Sequence, residues 1–132
     1  MRFVKYASFM VLCVAASSFI GCSPAGPKTY AVTGTVTLDS KPLAEGLVSF
    51  RTISSGAIET MNIKDGQFRG DVRDGERRVE IYFLRKKMQE FAGVSTPLQE
   101  NMIPARYNTE STLTAKVSAE GPNSFAFALE SK

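Results

Sequence analysis

The chain of 132 residues has no histidine, no tryptophan and only two cysteines, Cys13 and Cys22. Without an imidazole there is no Ser-His or Cys-His pair to activate a nucleophile, and the usual His-containing zinc sets are excluded. Without an indole, any flat platform for a sugar must come from tyrosine, and past the N-terminal segment only Tyr30, Tyr82 and Tyr107 are available. Excess charge is also scarce, at +3 overall, which gives no reason to expect a polyanionic partner such as nucleic acid. Long apolar runs are missing too. The uncharged stretch Ala7 to Ile20 is too short to cross a bilayer as a helix.

That stretch, preceded by Met1-Arg2-Phe3-Val4-Lys5, has the basic start and short apolar body of an export signal. It ends at Phe19-Ile20-Gly21-Cys22, which resembles a bacterial lipobox. In that motif cleavage falls before the cysteine, and the cysteine thiol is lipidated. Gly21 suits the small position, Ile20 is acceptable, and Phe19 departs from the usual leucine. Ordinary secretion, with a small-residue cleavage site at Ala16 to Ser18, is the alternative. It would leave Cys22 as an unpaired thiol, which is uncommon in exported proteins. The expectation is a leader over residues 1–21 and a lipidated N-terminus and tether over 22–29, rich in proline and glycine. The expected location is the cell membrane or outer membrane, lipid-anchored and facing the periplasm or exterior. Loss of Arg2 and Lys5 with the leader leaves fourteen basic against thirteen acidic residues. Loss of Cys13 and acylation of Cys22 leave no disulfide, so the remaining domain, 30–132, must rest on its core alone.

From Tyr30 onward the sequence alternates. Tyr30, Val32, Gly34, Val36 and Leu38 share one face of a strand, and threonines share the other. After the turn Asp39-Ser40-Lys41-Pro42, Val48 and Phe50 mark an inward face, followed by Met61 and Ile63. Asp65-Gly66 between apolar runs is a strong hairpin signal. Val79, Ile81 and Phe83 alternate next, and Leu113, Ala115, Val117 and Phe125, Phe127, Leu129 complete the pattern around a turn at Glu120-Gly121-Pro122-Asn123. About seven strands with turn signals predict an all-β sandwich or barrel. The segment Lys86 to Arg106 carries no strand periodicity and reads as a long loop, with a turn of helix possible at Lys87 to Phe91. A glycine inside a strand pattern, Gly34, predicts a bulge or a close backbone approach.

The order of these segments resembles the carboxypeptidase regulatory-like domain. VTGTVTLDSKPLAEGLVSF is similar to that family's first hairpin and IKDGQFRGDVRDGERRVEI to its middle, while IPARYNTESTLTAKV and NSFAFAL complete the match. The resemblance covers roughly Val32 to Leu129, and Arg73-Asp74-Gly75-Glu76-Arg77 stands where many relatives have Pro-Gly-x-Tyr. It implies a seven-stranded Greek-key sandwich of transthyretin-like or Ig-like form, found in small bacterial lipoproteins. It implies no enzymatic activity, because in carboxypeptidases this fold is an accessory to the catalytic domain.

Cys22 is the candidate lipidation site. Asp71, Asp74 and Glu76 cluster near one turn but lack the spacing of a calcium loop, so no metal and no cofactor are expected. Arg77, Arg78, Arg85, Lys86 and Lys87 form the densest basic group, read either as a guarded strand edge or as a contact for acidic polymers or headgroups. Tyr82 and Leu84 face outward, covered by the long loop or exposed as a patch. Tyr107 is expected to anchor the returning chain through its phenol. Tyr82, Leu84, Arg85, Lys86, Lys87 and Tyr107 are thus the candidate interaction surface. The expected function is a non-enzymatic structural or protein-interaction module of the cell envelope, with glycan or envelope-polymer binding as the alternative.

Overall fold

Side-chain alternation and turn chemistry together set the strands. The computed structural model describes residues 25–132; the leader boundary and Cys22 lie outside them. The strands are β1 (Thr29–Leu38), β2 (Lys41–Pro42), β3 (Glu45–Thr52), β4 (Ile58–Lys64), β5 (Gln67–Arg73), β6 (Gly75–Tyr82), β7 (Leu84–Phe91), β8 (Val94–Asn101), β9 (Thr114–Val117) and β10 (Ser124–Leu129). A single 3-10 turn, Ala105–Tyr107, is the one helical element among the described residues. Three two-residue turns have both central residues at positive φ: Asp39 and Ser40, Asp65 and Gly66, Ala92 and Gly93. This is the type I′ geometry, whose twist matches that of paired strands.

Eight strands form one curled sheet in the order β10-β1-β5-β4-β3-β6-β9, with β2 on the edge of β1. Neighbours run antiparallel except β1 and β10, which are parallel. The Asp65-Gly66 hairpin expected from the sequence forms, but β4 and β5 pair only at Lys64 with Gln67. Beyond that pair the strands diverge, and the sheet curls into two facing arms.

The arms meet over a phenylalanine cluster. Phe50 on β3 lies 6.0 Å from Phe68 on β5 and 6.1 Å from Phe125 on β10, centroid to centroid. Val32, Val36, Val48, Val79 and Ile81 are fully buried around it, each such side chain contributing roughly 1.5–3 kcal/mol of transfer free energy. Gly34 explains how β1 fits between its neighbours. A Cβ there would come 2.3 Å from both the Phe125 carbonyl oxygen and the Phe68 ring, the close approach predicted from its place in the strand.

The expected loop over Lys86 to Arg106 is not a loop, and its Lys87 to Phe91 portion is not helical. It is mostly a β-hairpin, β7 paired with β8 from Leu84–Asn101 to Phe91–Val94, forming a separate two-stranded sheet. Every residue from Leu84 to Glu100 is exposed. Alternation in sequence records burial of one face, and a hairpin wet on both faces has none to record. The hairpin therefore does not cover Leu84. The segment folds back only at Ile103, which is buried against the core.

Candidate functional site

The hairpin leaves the sheet at a defined end. Tyr82, the last residue of β6, pairs with Leu47, near Glu45 and Lys64, which pair with each other. The first residue of β1, Thr29, pairs with Arg73 at the opposite end. The segment Ala25–Lys28 and the hairpin thus project from opposite ends of the sheet.

Its base is closed by Asn101, whose Oδ1 accepts the N–H groups of Phe83 and Ile103, each at 3.1 Å. Beyond the base the hairpin exposes Leu84 (45%) and Met88 (61%) on one face and Phe91 (81%), Val94 and Leu98 on the other, with nothing among the described residues packed on them. Lys86 and Lys87 stand among them, with Lys87 Nζ 3.6 Å from Glu100 and the Arg85 guanidinium 5.4 Å above the Phe83 ring. Leu84, Arg85, Lys86 and Lys87 are therefore brought together on β7.

Tyr82 belongs to a different constellation, on the outward face of β3 and β6. Arg51 donates from Nε to Glu80 Oε1 at 3.0 Å and from Nη2 to Oε2 at 3.3 Å, and Tyr82 OH donates to Oε2 at 2.9 Å. Arg78 Nε lies 3.4 Å from Oε1. The Glu80 side chain is only 4% exposed. Burial alone would raise the Glu80 pKa, but the hydrogen bonds from Arg51 and Tyr82 and the charges of Arg51 and Arg78 outweigh it and hold it below the usual carboxylate value. Burial, followed by the bond to Glu80, pushes the Tyr82 phenol up. A buried carboxylate that accepts three hydrogen bonds from two neighbouring side chains ties β3 to β6 as a structural clamp. Glu80 was not apparent as a site residue, although Arg51, Arg78 and Tyr82 at alternate positions of adjacent strands do form a polar stripe.

The basic group also divides. Arg77 is buried and donates to the carbonyls of Arg73 and Asp74. Arg78 donates to the carbonyls of Asn108 and Thr109, leaving Arg85, Lys86 and Lys87 as the exposed portion. Tyr107 sits apart from the hairpin, its OH accepting the Glu130 N–H at 3.1 Å and its ring lying under the Arg106 guanidinium at 4.8 Å. Beside it, buried Asn108 donates to the carbonyls of Ile103 and Pro104, fixing the chain that returns from the hairpin. Asp71, Asp74 and Glu76 are all exposed, and among the described residues no group of three or more acids, cysteines or histidines could hold a metal.

Among the described residues, open grooves lie along the sheet, and two bear on the candidate site. One, of about 810 Å³, is lined mainly by polar groups including Thr33, Thr35, Asn62, Lys64, Gln67 and Arg69. The other, of about 600 Å³, lies at the hairpin's root between Glu45, Asn62, Lys64 and Tyr82 to Leu84. No described helix is long and apolar enough to cross a membrane. No protein-family model, curated protein or solved structure matches the chain.

Proposed function

We propose that the protein is a lipid-anchored lipoprotein of the cell envelope whose domain, a transthyretin-like Greek-key sandwich, serves as a non-enzymatic interaction module. The observation that carries this reading is the hairpin of β7 and β8, exposed along its length and rich in apolar side chains, at the sheet end opposite the tether. An exposed apolar surface of this kind is a mark of contact with another molecule. A chain held at Cys22 would present the hairpin away from the membrane that holds it. The absence of histidine and the loss of both thiols on processing agree with a role that involves no catalysis.

The anchor is tested by fractionating cells that express the full chain. Wild type partitions with membranes and carries a mass increment of acyl chains, which bind stably at about 0.8 kcal/mol per buried methylene when two or more are present. Cys22→Ser is expected to remain unprocessed and unacylated. An unchanged processed mass and membrane fraction in that variant would overturn the anchor.

A second reading, glycan or envelope-polymer binding, draws on the polar groove along Thr33, Asn62, Gln67 and Arg69, whose hydroxyl, amide and cationic groups suit sugar hydroxyls and acids. Tyr82 and Tyr107 are engaged within the fold, so this reading rests on hydrogen bonding without an aromatic platform. Retention on a polysaccharide column, lost in Gln67→Ala and Arg69→Ala, would favour it over protein contact.

A further inference from the structure

We propose that the outer edge of β7 pairs with the same edge of a second copy of this chain, across a two-fold axis at Met88, to give a four-stranded sheet β8-β7-β7-β8. This rests on the interaction role assigned to the hairpin and not on the lipid anchor.

The two edges of the hairpin differ. Met102 N–H donates to the Phe83 carbonyl at 2.8 Å, and the register then alternates to the Phe91–Val94 pair that closes the turn. Odd-numbered residues of β7 therefore spend their main-chain groups on β8, while Lys86, Met88 and Glu90 turn theirs outward. On β8 the matching outward position opposite Met88 is Pro97, which has no N–H to give and guards that edge. The edge of β7 has no proline, and its guards are charges, Lys86 and Glu90. A hairpin of two strands is marginal alone in water, and one with nothing packed on it has most to gain from a third strand.

The edge is complementary to itself. Only residues with outward main-chain groups can pair, so an antiparallel match must set even residues against even ones. Centring on Lys87 or Lys86 opposes lysine to lysine. Centring on Met88 opposes Met88 to Met88, Lys86 to Glu90 twice, and Arg85 to Phe91 twice. Each of Lys86, Met88 and Glu90 then donates and accepts once in either copy, making six main-chain hydrogen bonds. Phe91 and Met88, 81% and 61% exposed, gain cover in the same register. A lipid surface suits the hairpin less well. Glu90 and Ser95 form the pair next to the tip, placing a carboxylate where insertion would be deepest.

The test uses the full chain in detergent, mixing unlabelled and nitrogen-15-labelled protein before treatment with a zero-length carbodiimide. Amide links between Lys86 of one isotope and Glu90 of the other are expected. Within one strand the two residues lie about 13 Å apart, beyond a zero-length link. Lys86→Glu or Glu90→Lys replaces two attractive cross-strand pairs with two repulsive ones, and should raise the dimer dissociation constant about tenfold in sedimentation equilibrium. The double reversal, Lys86→Glu with Glu90→Lys, should return it to within about threefold, a rescue that a misfolded variant could not show. A monomer at every concentration would overturn the pairing, as would a dimer indifferent to the single reversals. Binding to anionic vesicles lost in Phe91→Ser, without dimers, would assign the hairpin to lipid instead. If cells show hairpin-dependent cross-links to a different protein and no dimer, this inference falls and the interaction module stands.

Discussion

At Gly34 the chain has no room for a methyl group, because backbone on one side and an aromatic ring on the other approach to 2.3 Å of where it would sit. Gly34→Ala must push β10 or Phe68 aside within the packed arms, and overpacking of this kind costs about 1–3 kcal/mol or more. A urea midpoint unchanged from wild type would mean that the arms do not close as described. Glu80 is the second residue on which the fold turns. Its folded pKa is lowered, so its stabilising contribution is complete above the ordinary glutamate value of about 4.3 and is lost as pH falls through the lower folded value. Glu80→Gln keeps the shape but leaves Arg51 and Arg78 without a counter-charge. These arginines are 36% and 32% exposed and partly screened by water, so the expected loss is about 1–2 kcal/mol at pH 7. The gap between variant and wild type should narrow on acidification, as read from urea midpoints at pH 7 and pH 2. An equal gap at both pH values would remove the carboxylate's charge from the account.

At the scale of elements, what the sequence disclosed follows burial. β1, β3, β6 and β10 are legible because Val32 and Val36, Val48 and Phe50, Val79 and Ile81, Phe127 and Leu129 fall on the one face of each strand that enters the core, with smaller or more polar residues between them. The hairpin of β7 and β8 escaped for the complementary reason. Both its faces meet solvent, its β8 strand contains Pro97, and its turn is Ala92-Gly93 where Asn-Gly would have signalled it. The candidate residues Leu84 to Lys87 were therefore found without the element that carries them. Glu80 is obscured by the opposite circumstance, a carboxylate buried on the outward face of a strand whose alternation marks only the inward face for burial. Its environment is made by Arg51 from another strand, a pairing that depends on the register of β3 with β6.

At the scale of the whole molecule the hairpin and the curled sheet are separate units joined at a narrow base. Hydrogen bonds among Phe83, Asn101, Met102 and Ile103 hold that base closed, and nothing from Leu84 to Glu100 is buried. Stability resides in the phenylalanine cluster and the aliphatic side chains around it, so the hairpin is free to be shaped by what it contacts. Replacing Lys86 to Gln99 by Asn-Gly preserves the Arg85–Glu100 pair and closes it with a compatible two-residue turn. Substitutions confined to exposed positions change stability by about 0.5 kcal/mol or less, while about 1 kcal/mol moves a domain of this size by several degrees. The shortened chain is accordingly expected to melt within about 2 °C of wild type in calorimetry and to lose the Lys86–Glu90 cross-link. A fall of more than about 5 °C would show that the hairpin buttresses the core, and its exposed apolar side chains would then need an explanation in folding before one in binding.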